Sequence, residues 1–212
     1  MKINIAIADD HPLVLNGLRH VLQHNGEMNV ISTYMDGEDL LKGLEASVPD
    51  ILLLDIQMPG KQGDELAKII SRQYPQVKII ALTNLENVYF VKSMFQAGVS
   101  GYVLKTAQED ILLDAIKTVH SGAQFLEPKL REMVMQHTLS VGHKASETPL
   151  LTQREQEVLQ LIAANHTSRE IAEMLFLSKR TIDHHRNSIL MKLDVKNTAG
   201  LIKKAITLGL IQ

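Results

Sequence analysis

The feature that most constrains this chain is the alternation of two hydrophobic periods over its first 126 residues. Short apolar runs have the spacing of strands, and the segments between them carry apolar residues at helical spacing. The pattern predicts strands at 2–8, 29–35, 50–54, 77–82 and 101–104, each followed by a helix. Successive βα units predict a five-stranded parallel sheet wrapped by helices, and right-handed crossovers favour a doubly wound fold.

Polar side chains follow four of these predicted strands. Asp9 and Asp10 follow the first strand, Asp55 ends the third, Thr83 follows the fourth and Lys105 follows the fifth. In doubly wound folds the working site lies outside the carboxyl ends of the strands, so we expect these groups to converge. Taken singly, each has an ordinary explanation, such as a helix cap for Asp10 or a turn residue for Asp55. Their joint order favours a site.

The expected chemistry of this edge is phosphoryl transfer to a carboxylate. Carboxylates bind Mg²⁺, and a carboxylate can also act as a nucleophile and form an acyl phosphate. Asp55, at the end of the central strand, is the expected phosphoacceptor. Lys105 is expected to pair with one phosphoryl oxygen and Thr83 to donate a hydrogen bond to another. Three carboxylates and one backbone carbonyl are the expected Mg²⁺ ligands: Asp9, Asp10, Asp55 and Gln57.

Four segments carry a resemblance to a known family. They are Ala-Asp-Asp-His-Pro at 8–12, Leu-Asp-Ile-Gln-Met-Pro-Gly at 54–60, Ala-Leu-Thr at 81–83 and Gly-Tyr-Val-Leu-Lys at 101–105. From Met1 to about His120 the chain thereby resembles the receiver domain of two-component response regulators. The resemblance implies a flavodoxin-like sheet, a sensor histidine kinase as phosphodonor, and Tyr102 as the switch aromatic. Many relatives have a cis proline after the lysine, but Thr106 stands there in this chain, so no cis bond is expected.

From Leu151 onward the pattern is purely helical. Thr152 and Glu155 form a predicted capping box, and further helices are predicted at about 168–175, 179–193 and 198–208. The short turn near 176–178 gives helix-turn-helix spacing, in which the second helix enters the major groove of double-stranded DNA. The net charge changes from −5 over residues 1–126 to +3 over residues 150–212, which favours a polyanionic partner for the tail.

The tail resembles the LuxR-type (NarL/FixJ-type) DNA-binding domain from about Leu150 to Leu210. The matching pieces are residues 151–159, 168–172 and 181–186, followed by Lys192-Leu193. The expected DNA contacts are Ser178, Lys179, Arg180, Thr181, Asp183, His184, Asn187 and Lys192. By the resemblance, positions 183, 184 and 187 meet base edges and the last helix forms a DNA-bound homodimer.

Three side chains of the predicted recognition helix carry further expectations. Many relatives carry lysine at position 183, and Asp183 is expected either to accept from a cytosine amino group or to avoid the DNA. His184 is expected to be exposed and the adjacent His185 to be partly buried. Neighbouring helical residues point about 100° apart, so a metal shared by these histidines is not expected.

These patterns predict a flavodoxin-like receiver domain (residues 1–122), a linker (123–149) and an all-α four-helix helix-turn-helix domain (150–212). No apolar run approaches the roughly 20 residues of a membrane span. Cysteine is absent, and Asp9 and Asp10 come too early for a signal peptide, so a cytoplasmic protein is expected.

The expected function is regulation of transcription, not enzymatic turnover. The resemblance implies that a sensor histidine kinase phosphorylates Asp55 and that this favours homodimers and specific DNA binding. It also implies that the receiver covers the recognition helix in the resting state. Three alternatives stay open: an autoinducer-binding LuxR-type regulator, a phosphotransfer or interaction module without DNA binding, and a phosphatase-like hydrolase on the same fold. The first would require an apolar ligand pocket in the N-terminal half.

Overall fold

The apolar segments of the N-terminal half form a parallel sheet, as their alternation with helices predicts. The computed structural model describes residues 2–58, 63–86, 88–141, 151–193, 195 and 197–211. The strands are β1 (Ile3–Ala8), β2 (Met28–Tyr34), β3 (Ile51–Asp55), β4 (Lys78–Thr83), β5 (Gly101–Leu104) and β6 (Phe125–Leu126). Their spatial order is β2-β1-β3-β4-β5-β6, with every neighbouring pair parallel.

Helices cover both faces of this sheet. They are α1 (Pro12–His24), α2 (Gly37–Ala46), α3 (Gly63–Gln73), α4 (Val88–Gln96), α5 (Glu109–His120) and α6 (Pro128–Val141). In β3, Leu52 and Leu54 join the core under α2, α3 and α4, whereas Ile51 and Leu53 join the core under α1 and α5. All four side chains are fully buried, which explains why this strand is apolar throughout and shows no alternation.

The sheet has six strands, where the sequence analysis predicts five. Residues 125–126, assigned above to the linker, pair with β5 as β6, and α6 then buries Leu130 completely. A strand of two residues is too short to show a period, so the pattern did not reveal it. The chain forms two compact units, residues 1–137 and 138–212. Residues 142–149 of the predicted linker lie outside the described residues.

The strand order reverses between β1 and β3, and this reversal creates a crevice. Successive connections from these two central strands leave on opposite sides, so the carboxyl ends of β1 and β3 are left open between them. Asp9 and Asp10 follow β1, and Asp55 ends β3. The topology therefore places three carboxylates at one point.

From residue 151 onward the described residues form α7 (Gln153–Ala163), α8 (Ser168–Met174), α9 (Lys179–Lys192) and α10 (Thr198–Thr207). Thr152 and Thr167 begin α7 and α8 with reciprocal capping boxes, and the Ser178 hydroxyl caps α9. The first capping box confirms the sequence prediction. None of the described helices is long and apolar enough to span a membrane.

A buried carboxylate joins the first and third helices of this unit. The Glu155 side chain accepts hydrogen bonds from the Ser188 hydroxyl and the Lys192 ammonium, both at 2.5 Å, and from the Thr152 N–H at 2.7 Å. Burial raises the pKa of Glu155, but the hydrogen bonds from Lys192, Ser188 and Thr152 outweigh it and hold the pKa below its ordinary value. Glu155 thus links α7 to α9 as an ionised group.

Replacement of Lys192 tests this link. Lys192→Met leaves Glu155 buried without its cation and is expected to lower the free energy of unfolding of the second unit by about 3 kcal/mol. Urea unfolding of the full chain, followed through NMR signals of the second unit, measures the change. The matched control, Lys203→Met on the exposed face of α10, is expected to change it by less than about 0.5 kcal/mol. Equal effects of the two variants would contradict the assignment.

Candidate functional site

The carboxylates predicted to converge do so at the crevice between β1 and β3. Asp9 is fully buried and Asp55 is 1% exposed, while Asp10 is half-buried. One ligand atom each from Asp9, Asp10, Asp55 and His11 lies within 4.8 Å of the others. The predicted acidic cluster is therefore confirmed as a geometric feature of the first unit.

Lys105 provides the positive charge of this cluster. Its Nζ lies 2.6 Å from Asp9 Oδ2 and 2.9 Å from Asp55 Oδ2, and its side chain is only 11% exposed. The backbone N–H of Lys105 donates to the Thr83 carbonyl at 2.8 Å, which holds the start of the loop after β5 against β4. The ammonium thus approaches the acidic cluster from the end of a neighbouring strand.

Asp55 is held in a fixed orientation. Its Oδ1 accepts a hydrogen bond from the Gln57 N–H at 2.8 Å, and its Oδ2 accepts from Lys105. Burial raises the pKa of Asp55, the neighbouring Asp9 raises it further, and the bonds from Lys105 and Gln57 oppose this without cancelling it. Added positive charge at this point would favour the ionised carboxylate.

His11 belongs to this cluster, and the sequence analysis gave it no role. Its Nδ1 lies 3.1 Å from Asp9 Oδ1 and 3.0 Å from Asp10 Oδ1, and its backbone N–H donates to Asp9 at 2.9 Å. The side chain is 55% exposed, so it borders the cluster on the solvent side. The sequence signal for a place in the cluster was that His11 directly follows Asp9 and Asp10 and precedes Pro12.

The donor set suits a hard divalent cation. The cluster offers carboxylate oxygens from three residues, which are the ligands that Mg²⁺ prefers. Asp9 Oδ2 is buried and close to Lys105, but it has no hydrogen bond of acceptable geometry. A buried oxygen with unused acceptor capacity is what a cation ligand requires, so the residues fit such an ion. Gln57 lies in the turn directly after β3.

Thr83 and Tyr102 lie together in the first unit and are both fully buried. The Thr83 hydroxyl accepts from the Leu85 N–H at 3.1 Å, and the Tyr102 hydroxyl donates to the Leu85 carbonyl at 2.9 Å. Burial raises the pKa of the Tyr102 hydroxyl, and a hydrogen bond with Thr83 opposes the rise. Both side chains therefore hold the loop that follows β4.

The second unit presents the helix-turn-helix pair that the sequence predicts. The chain turns between α8 and α9 at Phe176, whose φ of 53° lies in the left-handed region and whose side chain is 94% exposed. Ser178, Lys179 and Arg180 are exposed at the start of α9. The amino-terminal end of α9 is thus the accessible end, as a groove-binding helix requires.

Asp183 is engaged within its own helix pair. Its carboxylate accepts from Lys179 Nζ at 2.9 Å. Burial raises the pKa of Asp183, but hydrogen bonds from Ser168 and Lys179 outweigh it and leave the pKa below its ordinary value. Asp183 therefore carries a negative charge close to Lys179 and partly neutralises it.

Two expectations for α9 need correction. His184, expected to be exposed, is half-buried, as are Thr181 and Asn187, whereas the expected partial burial of His185 is confirmed. Lys192, expected to contact DNA, has a side chain only 9% exposed and directed to Glu155. The helical period gives the direction of a side chain, but a buried acceptor on another helix decided where the long Lys192 side chain ends.

Two family models match the chain. A response regulator receiver domain matches residues 5–117, and the luxR family of bacterial regulatory proteins matches residues 149–205. The first match answers the alternative of an autoinducer-binding N-terminal half, because the receiver domain occupies that part of the chain.

Curated relatives are similar over the full length. The transcriptional regulatory protein DegU of Brevibacillus brevis is 32% identical over 100% of this chain and 96% of its own length. The oxygen regulatory protein NreC of Staphylococcus epidermidis is 33% identical over 99% of this chain and 100% of its own length.

Solved structures give the same result. The RcsB response regulator of Salmonella typhimurium has a TM-score of 0.63 at 30% identity and covers 97% of this chain and 99% of its own. A structure of two RcsB dimers bound to two parallel DNAs has a TM-score of 0.64 at 30% identity, covering 98% and 99%. The chain therefore belongs to the response regulators of NarL/FixJ type, with a receiver domain followed by a LuxR-type DNA-binding domain.

Proposed function

We propose that Asp55 accepts a phosphoryl group from a sensor histidine kinase and that this charge controls dimerisation and specific DNA binding. The observation that supports this most strongly is the cluster of Asp9, Asp10, Asp55 and Lys105 at the crevice. In the transfer, a carboxylate oxygen of Asp55 forms the bond to phosphorus while the bond between phosphorus and the donor histidine breaks. The protein acts as a regulator in the cytoplasm.

Each residue of the cluster has a proposed part in this step. Asp9, Asp10, Asp55 and the Gln57 carbonyl would hold Mg²⁺, which when bound neutralises phosphoryl charge. Lys105 pairs with a phosphoryl oxygen in place of part of its contact with Asp55. The short distance from Lys105 to both buried aspartates supports this role, because the ammonium is already at the site of the new charge.

The signal is proposed to leave the pocket through Thr83 and Tyr102. The Thr83 hydroxyl donates its hydrogen to a phosphoryl oxygen, and a shift of Thr83 towards that oxygen is passed to the following loop through the hydrogen bond that Thr83 accepts from the Leu85 N–H. Because Tyr102 is bonded to the Leu85 carbonyl, the same loop responds to both side chains. A local change in charge thereby shifts the surface that follows β4 and favours a homodimer.

The second unit is proposed to read double-stranded DNA with the start of α9. The exposed side chains of Ser178, Lys179 and Arg180 at the amino-terminal end of α9 favour phosphate contacts. Thr181, Asp183, His184 and Asn187 are the candidates for the groove. The similarity to RcsB, of which dimers bound to DNA have been solved, supports two half-sites read by a homodimer. Lys192 is not among the proposed DNA contacts, because its side chain is paired with Glu155.

The first prediction concerns the phosphoacceptor. Asp55→Asn is expected to abolish phosphorylation by acetyl phosphate plus Mg²⁺ and the accompanying rise in affinity for DNA fragments selected from genomic DNA. Phosphate-affinity electrophoresis and mobility shifts measure the two effects. The matched control is Asp64→Asn, an α3 carboxylate paired with Lys68, which is expected to behave as the wild type. Tight DNA binding that is indifferent to phosphorylation would contradict the control mechanism and leave DNA reading intact.

A second prediction concerns phosphate contacts. Arg180→Ala is expected to weaken binding to all sequences by a similar factor and to reduce the slope of log affinity against log salt by about 1. Fluorescence anisotropy over a range of salt concentrations measures both. The control, Arg72→Ala on the exposed face of α3, is expected to leave the slope unchanged. An unchanged slope for Arg180→Ala would place DNA on another surface.

A third prediction concerns pH. Burial and the neighbouring His185 lower the pKa of His184 from 6.5 to about 4. A pKa lowered by folding gives stability that is present above the unfolded pKa and lost as pH falls towards the folded one. Between pH 7 and pH 5 we expect His184 to cost the second unit about 1–2 kcal/mol. His184→Gln is expected to flatten this dependence in urea unfolding, and an unchanged slope would show that His184 is already protonated or exposed.

A further inference from the structure

A buried carboxylate in the first unit has no part in the function proposed above. Glu127 lies between β6 and α6 and is 7% exposed. Its Oε2 accepts a hydrogen bond from the Leu104 N–H at 2.7 Å. Glu127 falls within the predicted linker, and the sequence signal for it is an acidic residue immediately before the proline that starts α6.

The Leu104 N–H needs this side chain because β6 ends too early. Along the β5–β6 ladder, the Glu127 N–H still donates to the Tyr102 carbonyl at 3.2 Å. The next pairing group on β5 is the Leu104 N–H, but β6 ends at Leu126 and Pro128 already begins α6. The Glu127 carboxylate takes the place of the strand carbonyl that is missing, and since Leu104 is 2% exposed, water offers little replacement.

Leu104 directly precedes Lys105 at the end of β5. Hydrogen bonds hold the backbone N–H groups of these two residues from opposite neighbours, β4 and Glu127. On one side the Lys105 N–H donates to the Thr83 carbonyl at 2.8 Å. On the other side Glu127 holds Leu104. From this backbone, which is hydrogen-bonded on both sides, the Lys105 side chain extends to Asp9 and Asp55.

Glu127 is itself fixed. Its carbonyl accepts from the Arg131 N–H at 3.0 Å, in the first turn of α6, and the following Pro128 restricts the backbone there. One turn on, Leu130 is fully buried in the core under the sheet. The carboxylate is therefore presented to Leu104 by a helix that is packed against the domain.

We propose that Glu127 is a positioning residue for phosphoryl transfer, which sets the end of β5 so that the Lys105 ammonium meets the phosphoryl group. The proposal rests on the assignment of Asp55 as phosphoacceptor and Lys105 as its cation. Glu127 contacts neither the phosphoryl group nor the metal, and it acts through the Leu104 N–H.

The test measures the rate of phosphorylation of the full chain by acetyl phosphate with Mg²⁺, at a temperature where thermal melting shows each variant folded. Glu127→Ala removes the acceptor and is expected to slow phosphorylation roughly three- to tenfold, because a shift of Lys105 by well under 1 Å costs less than the roughly hundredfold loss that a 1 Å misplacement of reacting groups can cause. Glu127→Gln keeps an acceptor oxygen at the same reach and is expected to restore most of the rate. The control, Glu132→Ala on the exposed face of α6, is expected to match the wild type.

A double-mutant cycle with Lys105→Met separates positioning from general support of the fold. If Glu127 acts through Lys105, Glu127→Ala slows the wild-type background but has no further effect in the Lys105→Met background. An equal slowing in both backgrounds would overturn the proposal, as would a wild-type rate for Glu127→Ala. If Glu127→Ala does not fold, Glu127→Asp decides: it keeps a carboxyl group but shortens its reach to the Leu104 N–H, and it is expected to be slow.

Asp55→Asn in the same assay distinguishes the two levels of inference. If Asp55→Asn is not phosphorylated while Glu127→Ala is phosphorylated as fast as the wild type, only the role of Glu127 fails. If Asp55→Asn is phosphorylated like the wild type, the proposed phosphoacceptor is wrong and the role of Glu127 falls with it.

Discussion

Lys105 is the cation that allows Asp9 and Asp55 to lie buried beside each other at the carboxyl edge of the sheet. Two desolvated carboxylates repel each other, so burying them side by side costs free energy unless a positive charge lies close to both. The distances of 2.6 Å and 2.9 Å from its Nζ make Lys105 that charge. One ammonium between two carboxylates leaves negative charge in excess, which favours the binding of a divalent cation. The strands, their order and the loop after β5 serve to maintain this arrangement.

In the second unit a buried carboxylate paired with a lysine stabilises the fold. Glu155 is buried like Asp55, but its oxygens are taken by Ser188, Lys192 and Thr152. Both oxygens of Glu155 accept hydrogen bonds, whereas Asp9 Oδ2 contacts the Lys105 ammonium but accepts no hydrogen bond of good geometry. A buried carboxylate therefore marks a binding site only where its oxygens remain available, and this difference separates the pocket from the support of α9.

The convergence of Asp9, Asp55 and Lys105 was predictable because parallel strands bring their carboxyl ends to one edge, whatever the loops do. The fold of both units followed from hydrophobic period and capping residues for the same reason: these patterns are local. The strand β6, the role of Glu127 and the inward course of Lys192 were not predictable, because each depends on a partner distant in sequence and chosen by packing. The half-burial of His184 has the same cause. The helical period predicts which way a side chain points, but not how much of it the neighbouring elements cover.

The most direct test of the central claim is to find the residue that carries the phosphoryl group. The full chain is phosphorylated with acetyl phosphate and Mg²⁺, the acyl phosphate is reduced with borohydride, and the modified residue is located by tandem mass spectrometry. The geometry predicts that the modification lies on Asp55 and disappears when Mg²⁺ is removed by a chelator. Modification of Asp9 or Asp10, or of a residue outside the cluster, would show that Asp55 is not the phosphoacceptor.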